Sequence, residues 1–470
     1  MPFRLVSRFS RPSTNGYTEI GGNITIPETV YNNGKTYTVT SIGELAFDGC
    51  HTITGVVIPK TIKLIGRQGF FNCTALKTVT FQNASQSALE TIGAAAFHYN
   101  MELTSVTLPQ SVKTIRANAF LGCNKLTSVT LPNGLTSLGE SVFQGCSSLR
   151  SISIPTKIEI LEREVFASCI SLTSITIPSN IKSIGFQAFS YCTGLTTVTI
   201  PSTVTERLFS SNGSPIYGNW FEGCTGLTSA TIQNNFIASG EFYGCTNLKT
   251  VNIGSNMTFI SDSLVYYSPK PFKDCPIETL TIGSNIAADI TNYPAAKSTL
   301  KTLTLNEGVT ALPENAFKDC TAMETLTLPS TLKNIGNSAF SGCKWLGDVI
   351  AKMAKPVAID ASVFSGVPQH GYCDLHVPQG TQGRYQAMEV WKEFYVIDEE
   401  AGPGVIRGDV NADGNVDIAD VVSVLNIMAQ QLHFCQSKSH RYRKEASNQF
   451  RGFLFLPFLL CSSCRNYFHA

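Results

Sequence analysis

The chain has 470 residues, of which 43% are hydrophobic and only 15% are charged, and its formal net charge is +1. A chain of this length can bury a large core, and its near-neutrality removes the electrostatic case for binding nucleic acid, which needs a basic face. The 37 glycines and the many serines and threonines are typical of a protein built from strands and turns.

The first segment, residues 1–19, differs in character from the rest of the chain. Residues 1–14 carry Arg4, Arg8 and Arg11 but no apolar run of the length that a signal peptide requires, so they do not form a signal peptide. From Ile20 the chain reads GGNITIPETVYNNGKTYTV. Its alternating apolar residues and the Asn-Asn-Gly turn at residues 32–34 predict a β-hairpin.

Phenylalanine then recurs every 23 residues. The regular positions are Phe47, Phe70, Phe97, Phe120, Phe143, Phe166 and Phe189, with one four-residue insertion that falls around residues 83–87. A period of this length with an L-x-x-V-x-L core predicts a leucine-rich-repeat solenoid. Because one repeat cannot bury its apolar side alone, the repeats must stack.

Each repeat predicts the same local structure. Val129 points inward from a short strand and Thr130 points outward. Pro132 ends the strand, because it has no amide hydrogen to donate. Residues 140–143 are predicted to form a helical turn that carries Phe143 into the core.

The repeat A-F-x-G-C-x-x-L-x-x-V-x-I-P-x-x-V-x-x-I-G resembles the BspA-like leucine-rich repeat, which occurs mainly in secreted and surface proteins of bacteria and some protists. The resemblance covers residues 20–397. It implies an α/β repeat solenoid with a long parallel sheet, short helical turns, an N-terminal hairpin and a C-terminal cap, in a protein located outside the cell or on its surface. Because the family is normally exported and the stretch that usually precedes its opening hairpin is missing, we expect the natural start to lie upstream.

Cysteine occupies one position of the repeat, three residues after the phenylalanine. The residues are Cys50, Cys73, Cys123, Cys146, Cys169, Cys192, Cys224, Cys245, Cys275, Cys320 and Cys343. Asn100 and Val367 fill the same position elsewhere, so it is not a dedicated bridge. We predict a buried ladder of reduced thiols, although a disulfide between neighbouring repeats is sterically conceivable.

The outward strand positions form a file of small hydroxyls. They are Ser105, Thr107, Ser128, Thr130, Ser151, Ser153, Ser174, Thr176, Thr197 and Thr199. These residue types suit an exposed pleated surface and keep it soluble. The alternatives are a flat platform for a protein or glycan, and an ice-binding array.

Past Phe189 the period breaks. The repeat phenylalanines, here called anchors, then fall at Phe221, Phe242, Phe272 and Phe317, and three of these four gaps carry insertions rich in Asn, Gly, Ser and Pro. Because loops carry function more often than scaffolds do, their aromatic residues are candidate ligand-binding residues. These are Tyr217, Trp220, Tyr266 and Tyr267. The alternative interpretation is that Trp220 packs inward and the tyrosines hold their own loops in place.

Residues 373–397 predict a cap that shields the last repeat. Leu375 and Val377 lie on a strand, and Tyr385, Met388 and Trp391 lie on one face of a helix.

After a linker at residues 398–407, residues 408–430 predict a calcium loop and helix. Oxygen ligands fall at positions 1, 3, 5, 7, 9 and 12 of the loop, with Gly414 at the sharp turn. They are Asp409, Asn411, Asp413, Asn415, Asp417 and Asp420. The unit resembles half of a type I dockerin, which carries two such loops, and the resemblance implies a cohesin-like partner.

Residues 431–470 have a different composition, with six Lys and Arg against one acidic residue, and an out-of-frame reading fits them best. Their apolar run is too short to span a bilayer, so we expect no transmembrane span. Cys461 and Cys464, with Cys435, His440 and His469, are a weak zinc candidate because no second matched pair follows.

The sequence contains none of the nucleophile, phosphate-loop or zinc-hydrolase motifs that would indicate an enzyme. Two functions remain. The first is a non-catalytic, adhesin-like surface protein that recognises a protein or glycan on a host or neighbouring cell. The second is a dockerin-bearing subunit of a polysaccharide-degrading assembly.

Overall fold

The computed structural model describes residues 3–5, 21–206, 218–237, 240–255, 258–259, 271–283, 285 and 294–400. The chain divides into two units, Met1–Asp398 and Glu399–Ala470. Apart from Glu399 and Glu400, the second unit lies outside the described residues.

The first unit is a solenoid of short strands. In chain order they are β1 (Phe3–Leu5), β2 (Gly22–Thr25), β3 (Thr29–Asn32), β4 (Lys35–Ile42), β5 (Ile53–Ile58), β6 (Leu64–Ile65), β7 (Thr78–Phe81), β8 (Thr91–Ile92), β9 (Ser105–Thr107), β10 (Thr114–Ile115), β11 (Ser128–Thr130), β12 (Ser137–Leu138), β13 (Ile160–Leu161), β14 (Ser183–Ile184), β15 (Thr197–Ile200), β16 (Ser229–Ile232), β17 (Phe236–Ile237), β18 (Thr250–Ile253), β19 (Thr258–Phe259), β20 (Thr279–Ile282), β21 (Thr302–Leu305), β22 (Ala311–Leu312), β23 (Thr325–Leu328), β24 (Asn334–Ile335), β25 (Asp348–Ala351), β26 (Asp374–Val377) and β27 (Val396–Glu399).

Each full turn of the solenoid, here called a rung, contributes one strand to a first sheet and a two-residue strand to a second. The first sheet runs from β2 to β11 and again from β15 to β27, and a bridge from Ser128 to Ser151 extends it between the two parts. The second sheet is interrupted in the same way, with β4, β6, β8, β10 and β12 in one piece. Rung-to-rung pairs are parallel and bring equivalent residues together, as at Ser128 and Ser105. The predicted parallel-strand repeat fold is therefore confirmed.

The third side of each rung is a turn segment, and the predicted helical turn is wrong there. Ser141 has a φ of 52°, a left-handed conformation that ends any run of right-handed helix. The amides of Ser141 and Phe143 donate to Arg163 and Val165 of the next rung, at 2.8 and 2.9 Å. The turn segments therefore form a ladder between rungs rather than helices within them. The described helices are α1 (Pro294–Thr299), α2 (Gln382–Gln386) and two 3₁₀ turns, Ala84–Gln86 and Trp391–Glu393.

The anchor phenylalanines form two runs of stacked rings inside the solenoid. Successive rings from Phe47 to Phe272, and again from Phe317 to Phe364, are 4.9–5.9 Å apart with planes within 15° of parallel. Because each ring packs on the ring before it, burial of one rung depends on its neighbours.

The predicted hairpin and cap close the two ends of the array. β3 pairs antiparallel with β4 around the Asn32–Lys35 turn. At the other end Trp391 packs edge-on against Phe364 at 5.7 Å, and Tyr385 donates its hydroxyl to the Met353 carbonyl at 2.7 Å. The cap helix is shorter than predicted, since α2 ends at Gln386.

Candidate ligand-binding surfaces

The outward face of the first sheet exposes the predicted hydroxyl file. In the rungs from Ser105 to Thr199 the outward pairs are exposed while the residue between them is buried, as in the strand Ser128–Thr130, where Val129 is 7% exposed. The pairs lie directly beside one another because the strands are in register. This gives a regular polar surface that changes little from rung to rung.

The irregular section corrects one candidate residue. Trp220 is only 3% exposed and packs edge-on against Phe236 at 5.8 Å. It fills the position before the anchor that Ala119 and Val142 occupy in regular rungs, so its ring belongs to the core and is not available to a ligand. Tyr217, Tyr266 and Tyr267 lie outside the described residues.

The cysteine ladder is buried as predicted, and it makes a hydrogen bond that the sequence did not reveal. Ten of the eleven rung cysteines are free and buried, and Cys50, in the first rung, is half-buried. Cys146 donates its thiol to the Phe120 carbonyl of the preceding rung at 3.3 Å, and eight other rung cysteines repeat this contact at 3.0–3.4 Å. Asn100 replaces it with an amide donated to Phe70 at 3.0 Å.

Thiols in this ladder are poor nucleophiles. Burial raises the pKa of Cys123 to about 12, so the reactive thiolate is scarce at neutral pH.

The six predicted calcium ligands, Asp409 to Asp420, lie outside the described residues. Within the described part of the chain, no three His, Cys, Asp or Glu side chains come together as a metal site. Among the same residues, no helix is long and apolar enough to cross a membrane.

The turn side of the array carries an aromatic feature that was not predicted from the sequence. The residue two positions after each described anchor, here called the turn slot, always has a positive φ. Glycine, asparagine or aspartate, which tolerate this conformation best, fill most turn slots. Tyr99 and Tyr191 are the bulky exceptions, with φ values of 59° and 57°. A left-handed backbone costs a residue with a Cβ roughly 1 kcal/mol or more relative to glycine.

Both tyrosine rings contact the glycine of the next rung at close range. A Cβ on Gly122 would come within 2.6 Å of the Tyr99 ring, and a Cβ on Gly223 within 2.6 Å of the Tyr191 ring. The two side chains are 41% and 47% exposed. Alignment of the repeats at the turn slot would have revealed them, because two tyrosines stand out in a column of mostly glycine, asparagine and aspartate.

The first sheet ends in a buried histidine that bridges two acids. His376 is 8% exposed. Its Nδ1 is 2.5 Å from Asp398 on β27, and its Nε2 is 3.1 Å from Asp348 on β25. The side chain therefore ties the last strand of the array to the strand two positions before it.

Comparison with known proteins identifies the repeats. The sequence model described as a BspA type Leucine rich repeat region (6 copies) matches residues 23–90, 90–212, 208–287 and 267–369. No curated protein matches the chain.

Several crystal structures are similar to this chain. A leucine-rich cell surface protein from Faecalibacterium prausnitzii is 26% identical, with a TM-score of 0.40, over 83% of this chain and 89% of that one. A leucine-rich repeat protein from Bacteroides ovatus is 25% identical, with a TM-score of 0.41, over 73% and 92%. The T. pallidum leucine-rich repeat protein is 27% identical, with a TM-score of 0.35, over 37% and 78%.

Proposed function

We propose that this chain, which belongs to the BspA-type leucine-rich repeat family, is a non-catalytic binding protein that acts outside the cell or on its surface. Its ligand is a protein or glycan of a host or neighbouring cell. The location is carried over from the family, whose members are mainly secreted and surface proteins.

The outward face of the first sheet is the observation that carries the proposal. Its exposed hydroxyl pairs follow one another in register, and the residue between the two members of each pair is buried in the core. Such a surface offers a ligand a long, rigid and uncharged contact area, and rigidity reduces the entropy lost on binding.

The irregular insertions are a second part of the proposed recognition surface. The regular rungs present nearly identical Ser and Thr pairs, whose hydrogen bonds water matches almost equally well. Discrimination therefore requires groups that differ between rungs, and we assign that role to Tyr217, Tyr266 and Tyr267.

A binding screen tests the proposal. The full chain is presented to immobilised matrix proteins and glycans, beside a variant in which the insertions at 208–217 and 259–270 are trimmed to the regular period. We expect at least one ligand to bind, and binding to weaken at least roughly tenfold on trimming. A full chain that binds nothing contradicts the proposed function, and equal binding by a folded trimmed variant moves the site to the hydroxyl face.

The acidic loop at Asp409–Asp420 favours a second candidate, a calcium-dependent docking subunit with a cohesin-like partner. Capture of an isolated cohesin domain by the full chain with calcium, but not with chelator, is the expected result. Failure to capture a cohesin panel contradicts it.

A further inference from the structure

We propose that Tyr99 and Tyr191 are two stacking platforms for one linear, uncharged polysaccharide that lies along the turn side of the array. This inference rests on the proposed binding function and adds to it a ligand class and a second binding face.

The two rings are held in place before any ligand arrives. Tyr191 donates its hydroxyl to Glu222 at 3.1 Å, and the same carboxylate accepts amides from Gln187 at 2.9 Å and Asn219 at 2.7 Å. The Tyr99 ring is 4.0 Å from the ring of His98. Exposed rings that are already fixed lose little conformational entropy when a ligand stacks on them.

The backbone gives an independent reason to expect a role other than folding. Glycine fills the turn slot in seven described rungs: Gly49, Gly122, Gly145, Gly223, Gly244, Gly342 and Gly366. The fold therefore does not need a side chain there. Two tyrosines nevertheless occupy this slot, although glycine adopts its left-handed conformation at lower cost.

The surface between the two rings favours a sugar chain over a protein. The intervening turn slots hold Gly122, Gly145 and Ser168, and the residues before them, Leu121, Gln144 and Ala167, are uncharged. Protein partners concentrate their contacts in central pockets, whereas here the aromatic groups stand at both ends of a row of uncharged residues. The C–H faces of sugar rings stack on the electron-rich faces of aromatic rings, and an uncharged ligand needs no ion pair.

The separation of the rings requires an extended ligand. Tyr99 and Tyr191 occupy the same slot four rungs apart, which corresponds to roughly 20 Å at the spacing of neighbouring strands. A single chain that reaches both rings gains effective concentration at the second site. Affinity should therefore rise steeply once an oligosaccharide is long enough to span them.

Glycine substitutions test the proposal without disturbing the fold. Tyr99→Gly, Tyr191→Gly and the double variant install the residue that the slot carries elsewhere, and Tyr99→Phe with Tyr191→Phe keeps both rings. Tyr31→Ala removes a tyrosine that is 75% exposed in the hairpin and serves as the control. Full-length proteins migrate through native gels containing galactomannan, xyloglucan, mixed-linkage β-glucan, xylan or pullulan, with polygalacturonate as the charged comparison.

We expect at least one neutral polymer to retard the parent, the double phenylalanine variant and the Tyr31→Ala control. Each single glycine variant should bind roughly tenfold more weakly, and the double variant should lose more than either. Melting temperatures of the glycine variants should stay level or rise, since the strain is relieved.

Any one of three results overturns the inference. No neutral polymer retards the parent, or the double glycine variant is retarded as strongly as the parent, or the melting temperature of the glycine variants falls by several degrees. If the parent binds a matrix protein but no neutral polymer, this inference fails while the proposed function stands. If it binds no ligand of either kind, both fail.

Discussion

His376 shows how one side chain can hold two strands of a solenoid together. Burial lowers the pKa of its imidazole, but hydrogen bonds to Asp348 and Asp398, and the charges of those carboxylates, outweigh burial and raise the pKa above the ordinary value. Asp374 is the other acidic group on the same strand. The protonated ring can donate from both nitrogens, whereas the neutral ring can donate from only one.

The stability that this contact supplies should therefore depend on pH. The folded-state pKa is raised, so the contribution is complete below the unfolded value of about 6.5 and is lost as the pH rises through the folded value. We expect His376→Gln to cost about 1 kcal/mol at pH 5.5 and less at pH 9, measured by urea unfolding. His370→Gln, which alters a ring 3.5 Å from Glu393 with 77% of its side chain exposed, is the control and should show little effect. An equal cost at both pH values for His376→Gln would contradict the interpretation.

The rung cysteines should resist alkylation until the array unfolds. Their thiols are buried, they donate to carbonyls of the preceding rung, and in Cys123 the raised pKa further reduces reactivity. Treatment of the native protein with iodoacetamide at pH 8, followed by mass spectrometry, should modify Cys50 first and leave the buried thiols unmodified. Rapid labelling of Cys123 and Cys146 in folded protein would show that the ladder is open to solvent.

The sequence predicted the cysteine ladder but not the position of Trp220, for a physical reason. A slot that also accepts Asn100 and Val367 is a packing position and not a dedicated bridge, so the substitution pattern alone predicted buried, reduced thiols. Trp220 lies next to an insertion, where composition favours a loop, yet it immediately precedes anchor Phe221 and enters the core through that position. Proximity to an anchor decided its burial more strongly than the polarity of its neighbours.

At the scale of the element, rungs approach so closely that some glycines cannot be replaced. A Cβ on Gly139 would lie 2.5 Å from the backbone nitrogen of Ala117, whereas a Cβ on Gly134 would meet the flexible end of Lys113 at 2.8 Å and the Gln110 carbonyl at an ordinary contact distance of 3.5 Å. We expect Gly139→Ala to destabilise the array by about 1–3 kcal/mol and Gly134→Ala to be close to neutral. Chemical unfolding of the two variants measures the difference. Equal stabilities would mean that the rungs can separate at no cost.

Strands were predicted well because their signal is local, and turn segments were not. Alternation around Val129, ended by Pro132, is sufficient to define a strand facing a core. The left-handed residues of the turn segments include Ser141, Glu164 and Gln187. These are not the residue types that favour this conformation. Hydrogen bonds to the next rung stabilise it, and a single repeat read alone cannot reveal them.

At the scale of the molecule, the acidic loop should act as a separate calcium-binding unit. Carboxylates that lie close together repel one another, and a bound cation removes that repulsion, so binding and local ordering are coupled. Calorimetric titration of the full chain with calcium should show one site, and Asp413→Ala should abolish it. Asp374→Ala, in the array, is the control and should leave the calcium heat unchanged. No heat with the parent would contradict the predicted site.

Nearest-neighbour packing makes the array tolerant of losing one whole rung but not a fraction of one. Deleting residues 124–146 removes 23 residues and joins Cys123 to Ser147, so that Phe166 follows Phe120 at the regular distance. Phe166 and Cys169 can then replace Phe143 and Cys146 as neighbours of the preceding rung, because each rung contacts only those beside it.

Deleting residues 124–143 removes 20 residues and displaces the phenylalanine and cysteine from their ladders. We expect the first variant to unfold cooperatively at a temperature close to that of the parent and the second to lose cooperative unfolding, as monitored by circular dichroism. Equal behaviour of the two deletions would show that register does not hold the solenoid together.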